Sequence, residues 1–145
     1  MKITWAGQAC FQISVLNGKE NPANIVIDPF GNIGLKEPRF DADILLLSHN
    51  HEDHNNIKAI KGNPFLISGP GEYEVKGVFI QGIDSFHDDS QGKERGKNTI
   101  YTIEAEDIRL CHLGDFGQKQ LTDDQLEKIG TVDILMIPVG GTYTI

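Results

Sequence analysis

Ile44-Leu45-Leu46-Leu47-Ser48-His49-Asn50-His51-Glu52-Asp53-His54 is the stretch that decides the fold. Its first four residues are uniformly apolar and bounded by polar ones, so Ile44–Ser48 reads as a buried strand. Three of the five histidines then fall within the six positions from His49 to His54, with Asp53 among them. On a helix, His49 and His51 would point ~200° apart, because each residue turns the chain by about 100°. In an extended segment, residues two apart point the same way. The two histidines can therefore grip one ion only where the chain leaves the strand as a loop. Asp53 and His54, further along the turn, face a second position nearby. Imidazole and carboxylate together suit zinc, iron or manganese. The alternative is a solvated loop with chance histidines, and such histidine density beside a buried strand end argues against it. His51-Glu52-Asp53-His54 is one residue short of the helical His-Glu-x-x-His motif. Gly92-Lys93-Glu94-Arg95-Gly96-Lys97 lacks the spacing and the hydroxyl residue of a phosphate-binding loop.

Outward from this stretch, short strands separated by glycine turns dominate. Lys2–Trp5 and Cys10–Leu16 read as strands split at Gly7, and Asn24–Asp28 as a third, stopped by Pro29 and Gly31. Asn55–Lys61 reads as a short helix ended by Gly62-Asn63-Pro64, followed by a strand over Phe65–Ser68. Gly77–Phe86 alternates as a strand, and Asn98–Glu104 with Asp107–His112 reads as a hairpin. Thr122-Asp123-Asp124-Gln125 is a capping box that opens a helix to about Ile129. Val132–Val139 is the last strand, in front of a loop-like Gly140-Gly141-Thr142-Tyr143-Thr144-Ile145. Strands with intervening helices predict an α/β or α+β domain with a mixed sheet.

The 145 residues fit one domain with a sizeable core. The net charge of −8 argues against a broad nucleic-acid-binding face, which needs clustered basic residues. No apolar run approaches the ~18–20 residues of a membrane helix, and Met1–Trp5 has no signal-peptide character. Cys10 and Cys111 cannot form a disulfide framework, so a reduced, cytoplasmic setting is expected.

The motif His49-x-His51-x-Asp53-His54 after an apolar strand resembles the signature of the metallo-β-lactamase superfamily. Ile25-Val26-Ile27-Asp28-Pro29 is similar to its early strand, whose aspartate supports the site. His87, before a glycine-containing loop, matches the third metal-binding position, and Leu113-Gly114-Asp115 matches the Gly-Asp at a strand end. Trp5–Phe11, Arg95–Tyr101 and Pro138–Tyr143 look like the small bacterial and archaeal hydrolases related to ascorbate-6-phosphate lactonase. The resemblance implies an α+β fold, the four-layer αββα sandwich, as a single domain over 1–145. It implies that His49, His51 and His87 hold one metal, that Asp53 and His54 hold a second, and that Asp115 bridges the two. It implies two Zn2+ in the complete site, with Mn2+ or Fe2+ as alternatives. The superfamily carries one more ligand histidine on a late strand, and no histidine follows His112 here. The expectation is therefore a fold incomplete at its C-terminus, lacking its final helix and strand. A truncated chain, a completing partner chain and a short one-metal form remain open.

The implied activity is that of a metal-dependent hydrolase, in which a metal-bound hydroxide attacks an ester, lactone or phosphodiester bond. Asp53 would orient that nucleophile or take its proton. The alternatives are a nuclease of the same superfamily and a non-catalytic metal-binding fragment or module. The expected partner is a small-molecule substrate, with an anionic one among the alternatives; an incomplete sandwich would also expose apolar surface and favour self-association. Asp28 is either turn chemistry or support for a ligand histidine. His112 is a support or substrate-facing residue, or a packed strand histidine. Lys93, Arg95 and Lys97 form a solvated loop or, through Arg95, an anion-gripping element. Trp5 and Phe11 are expected in the core, and Cys111 as a small buried apolar residue.

Overall fold

A computed structural model describes residues 1–16 and 22–145. β1 (Lys2–Gly7) and β2 (Cys10–Val15) form a hairpin, and β3 (Ala23–Ile27) pairs antiparallel with β2. The chain then runs through β4 (Phe40–Asp41), β5 (Ile44–Leu46), β6 (Ile60–Lys61) and β7 (Phe65–Ile67). β8 (Gly71–Val75), β9 (Val78–Phe86), β10 (Lys97–Ala105) and β11 (Ile108–His112) follow as an antiparallel meander. Helix α1 (Asp123–Ile129) then crosses to β12 (Ile134–Met136), parallel to β11.

Two mixed five-stranded sheets result, in the orders β1-β2-β3-β5-β7 and β12-β11-β10-β9-β8. Their inner faces share one core. Ile13, Ile25, Ile27, Ile44, Leu46 and Ile67 of the first sheet meet Val78, Ile80, Tyr101, Ile103 and Leu110 of the second. The outer face of the first sheet buries Val26, Leu45 and Leu47 against Phe30, Ala59 and Ile60. That of the second buries Ile83, Ile100 and Cys111 against Phe116 and Ile129 of α1. This double burial explains the unbroken apolar run Ile44–Leu47, since alternate residues of β5 enter different cores. The Tyr101 hydroxyl links the sheets, donating to the Leu47 carbonyl at 2.9 Å. The Thr99 N–H does the same to Ser48, at 2.8 Å.

Several local expectations change. The helix expected over Asn55–Lys61 is a single 3-10 turn, Ile57–Ala59, running directly into β6. No side chain caps it, and the Asn56 backbone and side-chain N–H groups are held by the carbonyls of Pro29 and Phe30. β8 was not anticipated, because its glycine-rich start hid the alternation of exposed Glu72 and Glu74 with half-buried Tyr73 and Val75. β12 is shorter than Val132–Val139, since Pro138 cannot donate to a ladder. Trp5 is 66% exposed and not part of the core. The capping box at Thr122 forms, with the Gln125 N–H donating to Thr122 Oγ1 at 3.2 Å. Among the described residues, no helix is long and apolar enough to cross a membrane.

Candidate metal centre

Asp28 directly follows β3, Ser48–His54 follow β5, His87 follows β9, and Leu113–Asp115 follow β11. The C-terminal ends of these strands therefore bring the candidate residues together. The ligating atoms of His49, His51 and His87 lie within 4.8 Å of one another, as do those of His49, His54 and Asp115. His49 belongs to both groups. Asp115 Oδ2 lies 3.2 Å from Nε2 of both His54 and His87 and 3.9 Å from His49 Nε2. Asp53 stands at the edge of the second group, with Oδ2 3.6 Å from His54 Nε2.

Asp28 organises this centre from below. It is fully buried and has φ 45, an uncommon conformation for a non-glycine residue. Its Oδ1 accepts from the Ser48 backbone N–H at 2.7 Å, and its Oδ2 from Ser48 Oγ at 2.6 Å. The Ser48 hydroxyl has one proton, given to Asp28, so toward His49 Nδ1, 2.9 Å away, it acts as acceptor. The His49 proton therefore sits on Nδ1, and Nε2 presents a lone pair. His54 Nδ1 lies 3.2 Å from Asp28 Oδ2 and donates to it, which aims His54 Nε2 at Asp115. Such outer partners orient metal-ligating imidazoles.

The electrostatics follow from this arrangement. Burial, reinforced by neighbouring His54, lowers the His49 pKa to about 4, so its ring is neutral. Burial and His87 lower that of His51. Burial also opposes a charge on His54, but the carboxylates of Asp115 and Asp28 outweigh it and raise His54 to about 10. Burial alone would raise Asp115 and Asp28; His54 and His87 hold Asp115 well below the usual carboxylate range, and His54 and Ser48 lower Asp28.

These residues fit a metal. His49 Nε2 is buried without a hydrogen-bond partner among the described residues, and His54 Nε2 faces the carboxylates of Asp115 at 3.2 Å and Asp53 at 3.6 Å. An orphaned buried nitrogen is costly, and a cation shared by imidazoles and one carboxylate satisfies it. The N/O donor set suits zinc, iron or manganese alike.

The remaining candidates are placed differently. His112 is buried and uses both nitrogens, Nε2 donating to the Ala9 carbonyl and Nδ1 accepting from the Gly114 N–H, each at 3.1 Å. It thus shapes the turn before Asp115 and belongs to neither ligand group. Arg95 lies outside both groups as well, its guanidinium 3.6 Å from the ring centroid of Tyr143. Beside His87, the Asp88 carboxylate accepts from the backbone N–H groups of Ser90, Gly92, Glu94 and Arg95, which lower its pKa to about 2 against the effect of burial. Asp88 thereby folds the loop that follows His87. A cavity of about 530 Å³ opens from Asp53 and Asp115 and is lined by Trp5, Gln8, Phe11 and Tyr143, among others.

Asn98 is the residue that sequence reasoning passed over. It is fully buried and spends its whole amide, donating to Ser85 Oγ and to the Leu113 carbonyl at 2.8 Å each and accepting from the Asp115 N–H at 3.0 Å. The one signal was a polar residue opening an otherwise apolar and β-branched strand.

Residues 2–145 match the family model described as the beta-lactamase superfamily domain. The chain belongs to that family. Among curated relatives, a metal-dependent hydrolase from Thermoplasma volcanium is 32% identical over 174 residues, covering 99% of this chain and 73% of that protein. Another from Pyrococcus horikoshii is 27% identical, with 99% and 74% covered. The chain is thus a member of a family of metal-dependent hydrolases. A crystal structure from Thermotoga maritima, assigned to the metallo-beta-lactamase superfamily, is 43% identical with a TM-score of 0.78. It is matched over 99% of this chain, which spans 63% of its length. A diiron beta-hydroxylase from Streptomyces venezuelae, 16% identical with a TM-score of 0.61, shares the fold alone. A shared fold does not fix the reaction, which rests on the site.

Proposed function

We propose that this chain carries the centre of a dinuclear, zinc-using hydrolase that cleaves an ester, lactone or phosphodiester bond of a small, anionic molecule. The observation that carries the reading is the pair of ligand groups sharing His49, with Asp115 between His54 and His87. His49, His51 and His87 would hold one ion; His54 and Asp53 would hold the other, and Asp115 would bridge. When bound, such ions polarise a carbonyl or phosphoryl oxygen and lower the pKa of water.

The chain's own residues do the rest. Asp28, through Ser48, keeps the His49 lone pair aimed inward, and through Nδ1 it fixes the His54 ring. Asp53 is half-exposed at the cavity wall, where its carboxylate can orient an attacking water and take up its proton. The cavity is in the size range of small-molecule sites, roughly 300–1,000 Å³. Its wall residue Tyr143 carries Arg95, the cation we assign to the anionic part of the substrate. Two buried free cysteines suit a reducing cytoplasm.

The test is Asp53→Ala in zinc-loaded protein, assayed on bis(p-nitrophenyl) phosphate and a panel of simple lactones. The expected loss is about 10²–10⁴-fold in kcat, the usual weight of a general base. Turnover undiminished in a clean preparation overturns the reading.

A further inference from the structure

The turn between β1 and β2 is tied to the metal centre by a side chain. Gln8 has φ 50, left-handed backbone that a side chain rarely adopts. Two bonds hold the turn there. The Trp5 indole Nε1 donates to the Gln8 carbonyl at 2.8 Å, and His112, from the opposite sheet, donates to the Ala9 carbonyl at 3.1 Å. The Gln8 side chain is exposed, so its conformation is not retained for burial. Its Nε2 instead reaches across 45 residues of sequence to donate to Asp53 Oδ2 at 3.0 Å. The same carboxylate lies 3.6 Å from His54 Nε2. The left-handed backbone itself belongs to the hairpin, since Lys76, Glu106 and Asp107 share it in the other tight turns; the bond to Asp53 is what sets Gln8 apart.

We propose that Gln8 is a positioning residue that holds the Asp53 carboxylate facing His54, ready for the second metal. The proposal goes beyond the hydrolase reading and rests on only one part of it, the assignment of Asp53 to that metal. The chemistry suits an amide. Asp53 is 37% exposed at its side chain and would otherwise turn to water. A lysine in place of Gln8 would neutralise the carboxylate and compete for its lone pairs. A neutral N–H donor orients it and leaves its negative charge available. The Trp5 and His112 bonds then make the turn a rigid arm from the first hairpin to the metal centre.

The experiment is a calorimetric titration of the metal-free chain with zinc alone, comparing wild type, Gln8→Gly and Gln8→Met, with thermal unfolding alongside. Gln8→Gly removes the amide while relieving the left-handed strain, so the fold should be as stable as wild type or more so. The weaker of two zinc affinities should nonetheless fall about 10–100-fold in both variants, the usual effect of losing an outer partner of a metal ligand. The tighter affinity should stay unchanged. On bis(p-nitrophenyl) phosphate, kcat should fall with little change in KM. Zinc affinities unchanged in both variants overturn the proposal, as does a wild-type chain that takes up a single zinc. A wild type that fills both positions yet turns over no probe counts against the hydrolase reading, while the zinc titration still decides the role of Gln8.

Discussion

The side-chain oxygen of Asn98 accepts the backbone N–H of Asp115 at 3.0 Å, while the same amide donates to the carbonyl of Leu113, two residues earlier. One buried side chain thus brackets the Leu113–Gly114–Asp115 turn and sets where the Asp115 carboxylate points. Through Ser85 it also touches β9, the strand that His87 follows.

Asn98→Ala should therefore damage both fold and centre. It leaves the buried Leu113 carbonyl unpaired and the part-buried Asp115 N–H without its acceptor, at about 1–3 kcal/mol each. Urea unfolding of the metal-free variant should show a loss of about 2–4 kcal/mol, and zinc bound per chain should drop in elemental mass spectrometry. A loss under about 0.5 kcal/mol with full zinc content would show that the bracket is dispensable.

Gly114 is required by space as well as by backbone. Its φ is 59, and a Cβ there would lie 2.4 Å from Asn98 Oδ1 and 2.6 Å from Ser48 Cβ. Gly114→Ala should push Ser48 away from Asp28 and Asp115 away from its histidines. We expect destabilisation of about 3 kcal/mol or more, the range of core overpacking added to left-handed strain. Thermal unfolding and zinc content check it, and a variant matching wild type in both would refute the steric account.

His54 should give the metal-free protein a pH-dependent stability. Its pKa is raised to about 10 in the folded chain, so its contribution is complete below its ordinary value near 6.5 and is lost as pH rises through about 10. The buried thiols of Cys10 and Cys111, raised to about 12, add their own loss only above their ordinary value of 9.0. Between about pH 7.5 and 8.5, above the range in which the lowered His49, His51 and His112 take up protons on unfolding, the melting temperature of chelator-treated wild type should fall more steeply than that of His54→Gln. Zinc should remove the wild-type slope, because the ion takes the place of the proton on Nε2. Equal slopes in both proteins would place the raised group elsewhere.

Much of the centre was legible in the chain because its residues are local to one another or punctuate strand ends. His49 to His54 lie in one loop, and the apolar strand before them announced burial on two faces. The capping box at Thr122 was likewise readable, since both of its partners sit within one turn. Asn55–Lys61 was misjudged because Asn56 is claimed by Pro29 and Phe30, 26 or more residues away, and no local pattern carries that. Trp5 was misjudged because its indole serves the neighbouring turn instead of the core.

What the sequence by itself determined is a strand-rich domain with intervening helices and the clustering of candidate ligands in the His49–His54 loop, the sandwich being what the family resemblance implied. Both rest on short-range regularities: alternation, glycine punctuation and histidine spacing. What only the tertiary structure decided is how those side chains are aimed. Asn98 reaches Asp115 across 17 residues, Asp28 reaches His54 across 26, and Gln8 reaches Asp53 across 45. Such bonds join strand ends that are neighbours only after the two sheets pack, because hydrophobic burial brings them together without regard to their distance along the chain.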